Sequence, residues 1–318
     1  MRIHSRFCRA TIVLAAAALC GCASPSAERP RDRDFLMAMS TGRRFFETAQ
    51  YDLAAKSYQS ALVRASVLDE PQDIADSAYN AAAALMADGR SGEARGYLRE
   101  ARAEFGRAGG AGAAEAWLLE ARIAQAEGRR DEALTLADKA LAALGTAGGN
   151  DLRARIHQVK AALACEGGDV SATKAALAMG LSAAEKLPET ASARGLLTAT
   201  AAAVSRREGA AAAAAAQYDR AAALLKGAAQ YRDMAAAYAG AAEAYEAAGQ
   251  PAAAGGRYYQ AARSFAALGD LTNALKRVES ALTMADKTSN QDLRDRTQFL
   301  FESIKRTVES GKKSTTTK

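Results

Sequence analysis

The sequence predicts an all-α protein, an α-solenoid of about seven antiparallel helical hairpins with a period near 40 residues. Three observations carry this. Alanine fills 84 of 318 positions and proline only 5, and alanine loses no side-chain entropy in a helix. From Phe35 onward, breakers recur about every twenty residues, and large apolar side chains between them keep a spacing of about 3.6 residues. Every second breaker is a glycine followed five residues later by alanine. Aromatic residues are 6% of the chain and β-branched residues are few, which argues against a β-rich fold.

The chain opens on a cationic segment with Arg2, Arg6 and Arg9, then an apolar run from Thr11 to Leu19. That is the pattern of a secretory leader, and the run is shorter than the roughly 20 residues a membrane-spanning helix needs. Leu19-Cys20-Gly21-Cys22 resembles the lipobox of bacterial lipoproteins. The resemblance implies a signal peptide at 1–21, acylation of Cys22, and a flexible tether at 22–34. Ala23, rather than a retaining aspartate, implies the outer membrane, on its periplasmic face; a soluble periplasmic or secreted product is the alternative. The tether of about 12 residues reaches at most ~40 Å.

The net charge of +6 sits at the ends. The leader removes three arginines, and residues 311–318, expected as a basic disordered tail, hold Lys312, Lys313 and Lys318. The body is close to neutral, so the basic balance is no nucleic-acid footprint.

The repeated body is expected at 35–310. Its breakers are Ala49-Gln50, Glu70-Pro71, Gly89, Gly109-Gly110, Gly128, Gly148-Gly149, Gly167-Gly168, Leu187-Pro188, Gly209, Gly227, Gly249, Gly269 and Ser289-Asn290. They delimit about fourteen helices, and such short connections make neighbours antiparallel. Gly89, Gly128, Gly167, Gly209 and Gly249 precede Ala94, Ala133, Ala172, Ala214 and Ala254 by five residues. A small-large-small pattern follows in Ala94-x3-Leu98-x2-Ala101, Ala214-x3-Tyr218-x2-Ala221 and Ala254-x3-Tyr258-x2-Ala261, with Ala54-x3-Tyr58-x2-Ala61 upstream. Ala133-x3-Ala137-x2-Ala140 and Ala172-x3-Ala176-x2-Met179 read as degenerate versions. Small residues let two helices approach closely, and the large one fills the hole between hairpins.

This pattern resembles the tetratricopeptide repeat over roughly Phe35 to Lys287. Trp117, eleven residues before Gly128, stands at the repeat's tryptophan position; Phe45, Leu85 and Tyr245 stand four before their turns. The period is longer than the family's 34 residues. After Gly269 the pattern Ala274-x3-Val278-x2-Ala281 falls half a unit out of phase. The seven alanines from Ala210 read as a helix against which a neighbour sits closely. The last helix, near 290–309, contains no alanine; Leu293, Leu300, Phe301, Ile304 and Val308 form one stripe, as a capping helix requires, with Phe299 outside it.

Catalytic and metal chemistry is poorly supplied. After leader removal His157 is the single histidine, and Cys165 has no disulfide partner. His157 and Cys165 stand about 12 Å apart along one helix, too far for a dyad. No phosphate-binding glycine motif occurs. No enzyme activity, cofactor or metal site is expected.

What remains is binding. In a stacked array the first helices of the hairpins line the concave wall. Counting back from the turn glycines puts Arg43, Tyr79, Asn80, Met86, Arg122, Gln125, His157, Gln158, Thr200, Arg206, Glu243 and Glu246 on that wall. The result is a polar groove, cationic toward its first half and acidic toward its end, suited to an extended or helical segment of a protein partner. The lysine-based carboxylate clamp of chaperone-binding tetratricopeptide proteins is not reproduced, since Met39 and Tyr79 occupy its positions. The resemblance to helical-repeat lipoproteins implies a membrane-anchored periplasmic scaffold that assists an envelope complex of the pilus-secretin, outer-membrane protein assembly or polymer-export type. A glycan- or peptidoglycan-binding accessory of a cell-wall enzyme is the alternative, with Tyr79 as its main aromatic platform.

Overall fold

A computed structural model describes residues 32–315 except 111, 147, 189 and 190, with side chains as far as 309. The expected leader, Cys22, the tether as far as residue 31 and the last three residues lie outside the described part. The described residues form helices and turns, with no strand among them. In chain order these are α1 (Arg33–Glu47), α2 (Tyr51–Leu68), α3 (Pro71–Ala87), α4 (Ser91–Arg107), α5 (Ala113–Ala126), α6 (Arg130–Leu144) and α7 (Asn150–Glu166). They continue as α8 (Val170–Ala184), α9 (Ser192–Arg207), α10 (Ala211–Gly227), α11 (Tyr231–Ala247), α12 (Pro251–Ala267), α13 (Leu271–Lys287) and α14 (Gln291–Thr315).

Two boundaries differ from expectation. Arg33 and Asp34 belong to α1 rather than to the tether, because the Asp32 carboxylate accepts the Phe35 N–H at 3.0 Å and starts the helix there. At the other end α14 runs through Thr315, past the expected start of the tail at 311.

Within each of the first six hairpins the two helices are joined by one device. A residue in the left-handed region stands at Ala49, Gly89, Gly128, Gly168, Gly209 and Gly249, at spacings of 40, 39, 40, 41 and 40 residues. The next N–H reaches back five residues, as from Arg90 to the Leu85 carbonyl at 2.8 Å and from Gln250 to Tyr245 at 2.9 Å, which satisfies a carbonyl the helix end leaves open. Ala229 and Ser289 adopt the same conformation without glycine's freedom.

One turn glycine corrects the expected register. In the α7–α8 turn the left-handed residue is Gly168, with φ of +78°, while Gly167 has φ of −75°. The small-large-small triplet of α8 is therefore Thr173, Leu177 and Gly180, all buried, rather than Ala172, Ala176 and Met179. Met179 is 56% exposed. The triplet is regular after all, with Thr and Gly in the small places. Its counterparts Ala54, Ala61, Ala94, Ala101, Ala133, Ala140, Ala214, Ala221, Ala254 and Ala261 are fully buried. Cores form in series along the stack, each shared by neighbouring helices.

The odd-numbered helices α3, α5, α7, α9 and α11 touch in succession and build one wall. At the far end the succession passes to α12 and α14. A Cβ on Gly255 of α12 would stand 2.7 Å from Leu293 of α14. This is the half-unit slip that Ala274, Val278 and Ala281 foreshadow, and those three are fully buried on α13. Leu293 and Ile304 of α14 are buried, Leu300, Phe301 and Val308 lean on the same core, and Phe299 is 73% exposed. The alanine run of α10 buries Ala214 and Ala215.

Candidate functional site: the concave groove

The inner wall carries a cavity of about 700 Å³ bordered by α7, α9, α11 and α13, with Tyr218 and Leu225 of α10 and Phe265 of α12 behind them. Its apolar lining is mostly small: Ala162, Ala199, Ala203, Ala236 and Ala239, with Gly240 beside them. Between these lie Gln158, Thr200, Arg207, Arg232, Asp233, Glu243, Asp270, Asn273 and Arg277. Helices of 14 to 17 residues with alanine on the inward stripe produce this, because methyl groups leave room that larger side chains would fill.

Most charges of the cavity are committed to one another. Glu243 accepts hydrogen bonds from Arg206 and, at 2.9 Å, from Arg277, tying α9, α11 and α13 together. Arg232 pairs with Asp270 at 3.1 Å. Arg207 donates to the Cys165 carbonyl, and Gln125 to Glu166 at 2.9 Å. Cys165 is a buried free thiol bordering the cavity.

The twelve residues expected on the groove divide. Gln158, Thr200 and Glu243 border the cavity. The Thr200 hydroxyl also donates to Leu196 of its own helix at 3.0 Å. Arg122 and Tyr79 are half-buried on α5 and α3, outside the cavity lining. The Tyr79 hydroxyl is pushed up by burial, with Arg155, Glu115 and Arg122 in its electrostatic surroundings. The Arg122 guanidinium is pushed down by burial and by the nearby Arg155, while Asp233 of α11 acts on it across the groove. Gln125 and Arg206 serve as cross-links between wall helices. Asn80 is spent on its own helix, its amide donating to the Asp76 carbonyl at 2.7 Å. Met86 leans on the first core, and Arg43 is exposed on α1. Glu246 accepts the Tyr258 hydroxyl of α12 at 2.9 Å, so it serves the α11–α12 contact.

His157 is a correction. It is not on the wall: it is 5% exposed, and a Cβ on Gly180 of α8 would stand 3.2 Å from it. The cause is the turn. Counted from Gly168 rather than Gly167, His157 stands eleven residues back, where Trp117 stands before Gly128. One residue rotates a helix position by about 100°, which takes it from the wall into the hairpin. Trp117 shows what the position does: Arg102 and Lys139 lie over its ring at 3.9 and 4.9 Å. Burial pushes the His157 imidazole down toward its neutral form.

Asp233, Arg207, Arg232, Asp270, Asn273 and Arg277 were missed. On α11 the signal is present in the sequence, since Glu243, Gly240, Ala236 and Asp233 fall on one stripe that runs back from the turn as far as the first turn of the helix. Among the described residues no group of three or more His, Cys, Asp or Glu is placed to hold a metal ion. No described helix is long and apolar enough to cross a membrane.

No protein-family model matches the chain, and no curated protein matches it. Solved structures do. A Rap protein complexed with competence and sporulation factor is similar over 84% of this chain and 75% of its own, with a TM-score of 0.57 at 12% identity. The apo form of RapI is similar over 80% of this chain and 99% of its own, with a TM-score of 0.56 at 13% identity. A signal-transduction ATPase with a tetratricopeptide repeat sensor, from Pyrococcus horikoshii, gives a TM-score of 0.59 at 13% identity, over 87% of this chain and 43% of its own. At such identities the likeness concerns the fold, which is a tetratricopeptide-like α-solenoid.

Proposed function

We propose that this chain is a lipid-anchored adaptor of the periplasm that holds a polypeptide segment of an envelope protein in its concave groove. The observation that carries the binding half is the continuous wall of odd-numbered helices with its cavity of about 700 Å³, lined by small side chains and hydrogen-bonding groups. Such a surface suits a segment held partly by its backbone. The similar Rap protein, complexed with competence and sporulation factor, supports a binding role for this shape. We read the groove as non-catalytic, since Glu243 and Asp270 are engaged by arginines of the fold. The glycan reading has less behind it: Tyr218 and Phe265 border the cavity but are buried among the helices.

The anchoring half rests on Leu19-Cys20-Gly21-Cys22. Two or three acyl chains, at ~0.8 kcal/mol per buried methylene, hold a protein to a bilayer where one chain does not. A role in secretin, barrel-assembly or polymer-export complexes follows the resemblance to helical-repeat lipoproteins.

The test is crosslinking capture from membranes of cells carrying the wild-type chain, Arg122→Glu or Cys22→Ala. Cys22→Ala should leave the membrane fraction or stay uncleaved. Arg122→Glu should stay membrane-bound yet lose its crosslinked partner. A processed, membrane-held Cys22→Ala ends the anchor reading, and unchanged capture by Arg122→Glu ends the groove reading.

A further inference from the structure

The charges bordering the groove are unequally engaged. Three cations border the cavity, Arg207, Arg232 and Arg277, against four acids, Glu166, Asp233, Glu243 and Asp270, which leaves one negative charge in excess. Glu243, Asp270 and Glu166 have bonded partners. Asp233 makes no hydrogen bond and no ion pair among the described residues, although it borders the cavity. Its place in the first turn of α11 favours a negative charge there. Burial works the other way and pushes its carboxyl up. A half-buried carboxylate of this kind gains most from a cation brought in from outside.

Arg122 of α5 is its counterpart. It too makes no hydrogen bond and no ion pair among the described residues; it stands six residues before Gly128, as Ala203 and Glu243 of the cavity lining stand six before Gly209 and Gly249, and both Arg122 and Arg232 lie near enough to favour the charged form of Asp233. Tyr79 and Arg155 surround Arg122 on the first-half wall. The wall thus offers one unengaged acid, on α11 at the cavity, and one unengaged cation, on the inward stripe of α5. Next to Asp233 the α11 stripe continues as Ala236, Ala237 and Gly240, opposite Ala199 and Ala203 of α9. That strip is apolar and low, which suits the methylene stem of a lysine or arginine whose charged head reaches a carboxylate.

We infer that the groove takes a polypeptide segment bearing one basic and one acidic side chain, the basic one lying along the Ala236–Gly240 strip with its cation on Asp233, the acidic one on Arg122. This rests on the groove reading above and names its ligand chemistry. A bipolar segment fits better than a polyamine or a purely acidic segment, because each of those would leave Arg122 or Asp233 unmatched.

The experiment is selection of displayed random twelve-residue peptides against the full-length chain in detergent, run in parallel on wild type, Asp233→Asn and Arg122→Gln. Wild type should enrich peptides with a Lys or Arg and an Asp or Glu at a fixed separation. Asp233→Asn should lose the basic preference at least tenfold and keep the acidic one; Arg122→Gln should do the converse. Asp233→Asn keeps side-chain shape, Arg122→Gln removes the charge from a shortened side chain, and neither residue has a bonded partner among the described residues to lose; Asp233→Glu, which keeps the charge, should restore the basic preference, and Arg122→Lys should restore the acidic one. One consensus shared by wild type and both variants overturns the ligand assignment, and the groove reading is then decided separately by the charge reversal Arg122→Glu in the capture experiment. No enrichment by wild type over bare beads overturns both.

Discussion

Tyr218 and Gly240 are fitted to each other across the α10–α11 contact: a Cβ on Gly240 would stand 2.7 Å from Cε1 of the Tyr218 ring. The same distance recurs between Gly42 and Tyr58. Gly240→Ala gains about 1 kcal/mol of helix propensity, but crowding a buried ring costs about 1–3 kcal/mol. The ring is buried and hemmed in, so the clash outweighs the propensity. Thermal melting followed by circular dichroism should show a lower midpoint for Gly240→Ala, and a raised one would mean the ring moves aside freely.

Turns supply an opposed pair. Ala229 and Gly249 both stand in the left-handed region, at φ of +56° and +71°. A side chain there costs ~1–2 kcal/mol, partly offset because glycine loses more freedom on folding. Ala229→Gly should therefore stabilise by a few tenths to about 1 kcal/mol, and Gly249→Ala should destabilise by about 1 kcal/mol. Denaturant midpoints that shift in the same direction for both would contradict this account of the turns.

The α8 register makes a sharper contrast. Gly180 faces Leu197 at 2.7 Å from a built Cβ, whereas its neighbour Met179 is solvent-facing. Gly180→Leu should cost about 3 kcal/mol or more, while Met179→Ala should stay within about 0.5 kcal/mol. Equal effects would restore the register counted from Gly167.

Asp32 carries a pH dependence. Its carboxyl is held at about 2 against an ordinary 3.8, first by the Arg64 guanidinium and then by the Phe35 N–H. A carboxyl lowered by folding stabilises the folded form above its unfolded value, and that stabilisation is lost as pH falls through the folded value. Wild type should melt above Asp32→Asn at neutral pH, and the gap should close between pH 3.8 and about 2. A gap constant over that window would remove the pair from the account of the first hairpin.

How far these features were legible depends on their range. Helix existence, the turns and the capping stripe of α14 follow from local composition and periodicity, so residues such as Gly89, Gly249, Leu293 and Ile304 announce them. The slip after Gly269 was legible too, because Ala274, Val278 and Ala281 repeat the small-large-small pattern on an odd-numbered helix. The Gly167-Gly168 pair was ambiguous: either glycine could take the left-handed conformation, and choosing the first turned His157 by one position. The Asp233–Arg122 relation was not legible. It joins α5 and α11 through the coiling of the whole array, which the crossing angles of successive hairpins set and no local pattern states.

The buried triplets bear on how much sequence change the fold allows. A site that holds only a methyl, a hydroxyl or a hydrogen, as at Thr173 and Gly180 beside Ala94 or Ala254, accepts very few exchanges, while the outward positions drift at little cost. Divergent descendants would therefore keep a lattice of undersized residues and lose nearly everything that alignment scores reward. The outline of this chain matches solved arrays over more than four-fifths of its length at 12–13% identity, so the shape is compatible with very different outward residues. A fold of this kind is better sought in the periodicity of what is missing from the side chains than in the letters that remain.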